Sequence, residues 1–304
     1  RQNDLDGGKT LAEQALAEAR AHGMFFVEAT CVNVLQIVAE YKGAVTEYLE
    51  FSHQYLDASR AAGNPRLEGF ARGNLGIGWL KAGNIDRARP ELEECLRLGR
   101  ANGDRASECG ALCSLSTIAL WQGEDPRARG LARAAVDAAV AVQAPLWKAY
   151  ALFTLANAEL ALGRYDAAAN TYRAAYEGAV NLGHPIQHDA SAGLARAALA
   201  QGDVNAALEA VRRLPALDLH GDASTDPLDG AEAPRWIEWT AYLVLRRAGD
   251  ARADAWLRRA HNALQRQAAA LNDPQLREGF LQNIPHHREI LAEWKARPDL
   301  AGAA

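Results

Sequence analysis

Apolar residues recur at helical spacing along most of this chain, in paired runs separated by a short polar turn. The clearest pair occupies residues 67–103. Its apolar positions are Phe70, Leu75, Ile77 and Trp79 in the first run and Ile85, Ala88, Leu92, Cys95 and Leu96 in the second. Spacings of three and four residues predict two amphipathic helices, with the turn at Gly83 between them. Alternating strand patterns are almost absent, so an all-α protein is expected.

The helix pair recurs at a nearly constant period. The turn glycines are Gly43, Gly83, Gly123, Gly163 and Gly202, with spacings of 40, 40, 40 and 39 residues. The junctions between pairs keep the same register, at Gly23, Gly63, Gly103, Ala144 and Gly183. A period of this length predicts stacked helical hairpins, in which each repeat buries its apolar face only against its neighbours.

The residue types inside each hairpin discriminate between repeat families, because HEAT and armadillo repeats have similar lengths. The best copy combines Asn74-Leu75-Gly76, Trp79, Gly83, Ala88, Leu92 and Cys95. This pattern resembles the tetratricopeptide repeat (TPR), with each hairpin lengthened. Tyr48 departs from the pattern, because a small residue is expected there. The resemblance implies a right-handed superhelical solenoid whose concave groove is lined by the first helix of each hairpin.

The repeat pattern also sets predicted boundaries along the chain. Residues 1–22 match only the second helix of a repeat, beginning near Thr10, so we expect the chain to be a piece of a longer protein. The other segments are five TPR-like hairpins at 23–214, an acidic Pro/Gly loop at 215–235, a degenerate hairpin plus a C-terminal capping helix at 236–297, and a frayed tail at 298–304. The length of the acidic loop favours a mobile segment.

Composition narrows the class of partner. The formal net charge is -5 and no Lys/Arg-rich run is present, so a nucleic-acid partner is not expected. No apolar run has membrane-spanning length, so a membrane partner is not expected either. The four cysteines, Cys31, Cys95, Cys109 and Cys113, lie among apolar residues of predicted helices. Unpaired thiols of this kind fit a reducing, cytoplasmic location.

The sequence contains no recognised motif for catalysis or metal binding. Gly7-Gly8-Lys9-Thr10 lacks the first glycine of a phosphate-binding loop. His184 and His188, followed by Asp189, share one helical face but lack the glutamate of a metalloprotease motif. The adjacent pair His286-His287 would point apart on a helix. We therefore predict no catalytic residue, no metal site and no cofactor, and interpret the histidines as surface or groove residues.

The TPR groove, transferred to this chain, selects one set of candidate partner-binding residues. They are Asn33, Ile37, Phe70, Asn74, Ile77, Cys113, Thr117, Tyr150, Phe153, Asn157 and Arg196. This mixture of apolar anchors, amides and one cation suits a peptide or protein segment. The competing interpretation is that many of them simply pack between hairpins. Lysines that clamp an acidic chaperone tail in some TPR domains are replaced here by Gly73, Cys113 and Phe153, so that partner is not expected.

The C-terminal residues carry a second resemblance. Residues 270–294 are similar to the closing segment of TPR-bearing arms in large bacterial signalling proteins. In those proteins a class III nucleotide-cyclase or DNA-binding domain, together with an AAA-like ATPase, precedes the repeats. The resemblance implies a cytoplasmic, non-catalytic regulatory module that binds a protein or peptide, including other domains of its own parent. The alternative hypothesis is a small-molecule effector sensor, for which Trp147, Tyr150 and Phe153 would supply an aromatic wall.

Overall fold

The computed structural model describes residues 2–215 and 227–301 of the 304-residue chain. In these ranges every regular element is an α-helix. The helices are α1 Gln2–Ala21, α2 Phe25–Tyr41, α3 Val45–Ala61, α4 Pro65–Lys81, α5 Ile85–Ala101, α6 Arg105–Trp121, α7 Asp125–Ala141, α8 Pro145–Ala161, α9 Tyr165–Asn181, α10 Ile186–Ala200, α11 Val204–Val211, α12 Pro234–Arg247, α13 Ala253–Ala269, α14 Pro274–Gln282, α15 Pro285–Ala296 and α16 Pro298–Ala301. Consecutive helices pack against each other along the stack. The all-α class and the solenoid of helical hairpins expected from the sequence are confirmed.

The forty-residue period has a simple structural origin. Each helix from α2 to α9 has 17 residues, and three-residue connections join them, so one hairpin with its two connections contains 40 residues. At the representative turn after α4, the Asn84 N–H donates to the Trp79 carbonyl at 2.8 Å and the Gly83 N–H to the Leu80 carbonyl at 2.9 Å. This is a Schellman helix end, which needs the left-handed conformation that Gly83 adopts at φ +72°.

Two local expectations from the sequence are wrong. The junction placed at Ala144 falls one residue earlier, because Gln143 is the residue with positive φ, at 51°. The first helix begins at Gln2, well before Thr10. A glycine inside a helix costs only about 0.5–1 kcal/mol, so Gly7 and Gly8 do not stop a helix that Leu16 and other residues anchor against α2.

Small residues on the first helices accept large residues from neighbouring helices. A Cβ placed on Gly76 would lie 2.6 Å from Leu92 Cγ, so only glycine lets α4 approach α5 this closely. Tyr48, the exception in the repeat pattern, is buried at 4 % exposure. It packs on Gly78 of the next hairpin, where a Cβ would lie 2.9 Å from the tyrosine ring. The missing small residue in α3 is thus compensated by a glycine in α4.

The C-terminal part of the described chain is more regular than the sequence suggested. The predicted single capping helix is two helices, α14 and α15, because Pro285 begins a new helix. The predicted frayed tail includes α16, whose Leu300 is buried. The acidic loop ends at Ala233, since α12 begins at Pro234. Its residues 216–226, with Asp218, Asp222 and Asp226, lie outside the described residues.

The last helices return to the first two hairpins and close the stack. Asn283 Nδ2 donates to the Gly83 carbonyl at 2.9 Å, and Thr46 Oγ1 donates to the Ala270 carbonyl at 3.3 Å. Gly279 of α14 lies directly against Gly83, where a Cβ would overlap the Gly279 carbonyl. Helices α13 and α14 therefore partly cover the concave groove expected from the sequence. Across the described ranges, no helix has both the length and the apolar character needed to cross a bilayer.

The central cavity as candidate functional site

The first helices of the stack and the C-terminal helices surround a central cavity of about 1490 Å³ that stays partly open to solvent. Helices α2, α4, α6 and α8, the first helices of four hairpins, form one side of it. The segment 227–236, α13 and the start of α15 form the other side. The first helices face inward because the second helices occupy the outer layer of a superhelical hairpin stack. Closure by the C-terminal helices therefore converts a repeated inner face into one partly covered site.

All the candidate residues selected from the sequence line this cavity. They are Asn33 and Ile37 on α2, Phe70, Asn74 and Ile77 on α4, Cys113 and Thr117 on α6, Tyr150, Phe153 and Asn157 on α8, and Arg196 on α10. The structure therefore brings residues from five hairpins to one site. Several of them also pack between helices, as the competing interpretation held: Phe153 is only 7 % exposed. Lining the cavity shows their position, and their role in binding stays a prediction.

Amide side chains form a hydrogen-bonded group on the α2–α4 side. Asn74 Nδ2 donates to Gln36 Oε1 at 2.8 Å and more weakly to Asn33 Oδ1 at 3.3 Å. Gln36 Nε2 in turn donates to Ser52 Oγ at 2.6 Å, which fixes the buried Gln36 side chain. Since a primary amide has two donors and two acceptor lone pairs, this group keeps hydrogen-bonding capacity toward the cavity.

Aromatic side chains form the wall between α8 and α12. Phe153 makes an edge contact with Trp236, at a centroid distance of 5.9 Å, and a tilted contact with Tyr172 at 6.1 Å. Tyr150 contacts Trp147 at 6.2 Å and His184 at 5.7 Å. Such edge and tilted pairs are favourable arrangements that hold rings in place. The wall offers fixed apolar surface without a mobile side chain.

Sequence reasoning missed that part of the interhelical loop enters the cavity. Pro227 and residues 229–233 line it, and Leu228 between them is fully buried. Asp189 anchors the segment, since its two carboxylate oxygens accept the N–H groups of Glu232 at 3.0 Å and Ala233 at 2.9 Å. Burial raises the pKa of Asp189 to about 7. The carboxylate oxygens of Asp189, a possible metal ligand beside His184 and His188 in the sequence, therefore accept backbone N–H groups instead.

Acidic groups from this segment and from α2 surround one lysine. Lys81 Nζ lies 2.6 Å from Glu40 Oε1. Burial lowers the pKa of Lys81, but Glu40 and Glu232 outweigh that effect and raise it. Burial also raises the pKa of Glu232. This side of the cavity is therefore acidic, with Lys81 as a partial counterion.

Another part of the cavity lining is basic. It is lined by Arg196, Arg235, Arg258, Arg259 and Arg266. Two of them form ion pairs with the buried Glu238, which lies 3.1 Å from Arg235 Nε and 2.9 Å from Arg259 Nε. Arg196 stacks over Trp236 at 5.3 Å and donates from Nε to Thr240 Oγ1 at 2.9 Å. Of these five arginines only Arg196 was selected from the sequence, because the others come from α12 and α13, outside the regular repeats.

The other residues considered as metal ligands lie in the interior or pack against neighbouring helices. His287 is buried, with Nδ1 at 2.8 Å from the Phe280 carbonyl, and burial lowers its pKa to about 3. The sequence predicts surface or groove histidines, and His287 is a buried residue of the cavity lining. Among the described residues, no group of three or more His, Cys, Asp or Glu side chains is arranged to hold a metal ion. All four cysteines are free, and Cys113 is the one that is half-buried and lines the cavity.

Comparisons with known proteins support the fold rather than a family. No family model matches the chain, and no curated protein matches it in sequence. A Rap protein complexed with Competence and Sporulation Factor has a TM-score of 0.64 at 11% identity, covering 93% of this chain and 80% of that one. Apo RapI gives 0.55 at 11% identity, covering 94% and 80%. BtubC (BKLC) from P. vanneervenii gives 0.54 at 18% identity, covering 69% and 89%. The chain is a TPR-like helical-repeat protein.

Proposed function

We propose that this chain is a non-catalytic regulatory module that binds a peptide, or an extended segment of a partner protein, in the central cavity. One observation carries the proposal: the predicted groove residues of five hairpins converge on one partly covered cavity of about 1490 Å³. Small-molecule pockets usually measure roughly 300–1,000 Å³. A cavity of this size suits a peptide of several residues better than a single metabolite.

The chemistry of the cavity wall fits a peptide. An extended backbone presents N–H and C=O groups at every residue, and the amide group of Asn33, Gln36 and Asn74 can pair with both. Phe70 and Ile77 on α4 supply apolar surface for side-chain anchors. The solved Rap protein complexed with Competence and Sporulation Factor supports the proposal, because a chain of similar architecture there holds a second molecule.

The biological setting is a further part of the proposal. The similarity of residues 270–294 to the end of TPR-bearing arms supports a regulatory arm of a large bacterial, cytoplasmic signalling protein. Its parent would carry a class III nucleotide-cyclase or DNA-binding domain and an AAA-like ATPase. Under this proposal, peptide binding in the cavity changes how the arm contacts those domains.

A small-molecule effector is the second candidate. It is favoured by the enclosed aromatic wall around Trp147 and Tyr150, whose rings contact each other and His184. A metabolite of modest size would occupy this part of the cavity alone. The two candidates differ in which helices they contact. A metabolite would contact the aromatic wall alone, whereas a peptide must also contact α4 and α6.

Alkylation of Cys113 tests the proposal. A random nonapeptide library is selected on the immobilised protein before and after reaction with a bulky maleimide. We expect Cys113 on α6 to react first, because it is half-buried while the other three thiols are buried. The adduct should fill the middle of the cavity and abolish peptide recovery.

The matched control is Cys113→Ser, which should bind peptides equally well with and without the reagent. A metabolite screen by thermal shift tests the second candidate. A bound ligand stabilises the folded protein by an amount set by the ligand concentration relative to its Kd. Recovery of peptides that is insensitive to the Cys113 adduct would rule out binding in the cavity. Stabilisation by metabolites without any peptide recovery would favour the second candidate.

A further inference from the structure

One wall of the central cavity carries arginines that are not neutralised. On α13, Arg258, Asn262 and Arg266 follow each other at intervals of four residues, and all three line the cavity. Residues four apart lie on the same face of a helix, so these side chains form a row along the wall. Arg196 of α10 lines the same cavity. We name Arg196, Arg258 and Arg266 the basic strip.

Within the described residues, no member of the basic strip forms an ion pair, and Glu289 is the nearby carboxylate that attracts Arg196. Among the described residues, Arg196 Nη2 and Arg258 Nε are buried and have no hydrogen-bond acceptor. Neighbouring Arg235 and Arg259 differ, because Glu238 forms ion pairs with both. Glu289 is the carboxylate that lines this side, and its Oε2 accepts the indole N–H of Trp239 at 2.6 Å.

Unpaired arginines in a partly enclosed site favour an anionic ligand. Arg196 Nη2 and Arg258 Nε are withdrawn from water without an acceptor, and an incoming anion offsets that desolvation cost, whereas Arg266 is exposed and available to a ligand. The guanidinium group presents a planar fork of donors that matches a carboxylate in a bidentate pair. The acidic part of the lining, with Glu40 and Glu232, would repel a ligand that is negative all around. The fitting ligand therefore carries its charge on one face.

The spacing of the strip specifies the ligand further. Arg258 and Arg266 are eight residues apart on α13, which corresponds to roughly 12 Å at a rise of 1.5 Å per residue. An extended peptide advances about 3.3 Å per residue and alternates its side chains between two faces. Side chains four positions apart thus lie on one face, roughly 13 Å from each other. We propose that the basic strip is a subsite for two acidic side chains at positions i and i+4 of an extended peptide. This inference rests on the proposed peptide-binding function.

Three synthetic nonapeptide pools test the subsite. The first is C-terminally amidated, with glutamate at positions 3 and 7 and random residues elsewhere. The second is identical except for glutamine at both positions. The third has the two glutamines and a free C-terminal carboxylate. Retention on the immobilised protein is measured by mass spectrometry. We expect the glutamate pool to be retained at least about tenfold better than either glutamine pool, as two charge-assisted hydrogen-bonded pairs imply.

Variants assign the effect to the strip. The double variant Arg258→Gln/Arg266→Gln should remove the preference for glutamate while retaining the glutamine pools as before. Arg133→Gln is the matched control, because this arginine is exposed on α7 and does not line the cavity. It should leave the tenfold preference unchanged. The melting temperature of the double variant should not fall, because Arg258 Nε is buried without an acceptor and Arg266 is exposed.

Each result bears on a different statement. Equal retention of glutamate and glutamine pools, lost after Cys113 alkylation, would overturn the subsite and leave the peptide-binding function standing. Preferential retention of the free-carboxylate pool would overturn the i, i+4 assignment in favour of a terminal carboxylate. A glutamate preference that persists in the double variant would overturn the assignment to the basic strip. Absence of retention for every pool would overturn both the function and the subsite.

Discussion

At the scale of single residues, glycine decides how closely the helices approach. Tyr172 of α9 is fully buried, and its ring lies against Gly193 of α10 where a Cβ would overlap it. Gly130 of α7 is also helical, but no atom of another element lies within 4 Å of the place a Cβ would take. The same residue type therefore serves close packing at one position and contributes only backbone flexibility at the other.

Opposite effects are expected from the same substitution at these two positions. Gly193→Ala should lower the free energy of unfolding by about 1–3 kcal/mol, because overpacking forces Tyr172 or the backbone to move. Gly130→Ala should raise it by about 0.5–1 kcal/mol, because alanine is the better helix former. Urea unfolding followed by circular dichroism measures both. Two changes of the same sign would contradict the packing seen between α9 and α10.

At the scale of elements, the junction of α14 and α15 depends on a neutral histidine. His287 is 4 % exposed, packs on the Phe280 ring at 4.5 Å and hydrogen-bonds the Phe280 carbonyl through Nδ1. Burial lowers its pKa to about 3, from an ordinary value near 6.5. The hydrogen bond to the carbonyl requires a proton on Nδ1, which the neutral ring supplies.

This histidine should make the stability fall in mild acid. Between about pH 6.5 and 3 the unfolded chain takes up a proton at His287 that the folded chain does not, so the free energy of unfolding decreases as the pH falls. The contribution approaches about 1.4 kcal/mol per pH unit below pH 6. His287→Gln, which can still donate to the Phe280 carbonyl, should show a shallower decrease between pH 6 and 4 in urea unfolding.

The control for this pH effect is His22→Gln, since His22 is exposed in the turn after α1. It should leave the slope of the wild-type curve unchanged. If the free energy of unfolding changes with pH in the same way in wild type and His287→Gln, His287 is not the group whose protonation lowers the stability. Burial also lowers the pKa of His286, whose ring lies 4.6 Å from that of His287, so the difference between the two curves includes the coupling of this pair.

At the scale of the whole molecule, the important event is closure of the stack on itself. The contacts that achieve it join residues far apart in the sequence, such as Asn283 and Gly83 or Thr46 and Ala270. They fix α13 and α14 over the turns of the first two hairpins. Without them the central cavity would be an open groove, and the basic strip on α13 would not face α4.

Closure can be weakened selectively through one turn glycine. Gly83 and Gly123 have nearly the same φ, +72° and +73°, so alanine costs about 1 kcal/mol of backbone strain at either turn. Only at Gly83 would the new Cβ also overlap the Gly279 carbonyl. Gly83→Ala should therefore separate α14 from the turn, which increases hydrogen exchange in 274–283 and raises the radius of gyration. Gly123→Ala should do neither, and identical behaviour of the two variants would refute the closure contact.

The local sequence determined the helices, their turns and which faces point inward. Periodic glycines and three- and four-residue apolar spacings act within about forty residues, so they are readable without coordinates. For the same reason the groove residues Asn33 to Arg196 could be selected in advance and all line the cavity. The one-residue error at Gln143 arose because a non-glycine residue adopts the left-handed conformation there.

Only the tertiary structure decided that the groove is partly covered and what its second wall contains. The inward course of 227–233, the anchoring role of Asp189 and the buried guanidinium atoms of Arg196 and Arg258 without acceptors depend on contacts between distant parts of the chain. No local propensity encodes such contacts, because they follow from the accumulated curvature of successive hairpins. The sequence specifies each repeat, and the summed geometry of the repeats determines which surfaces meet.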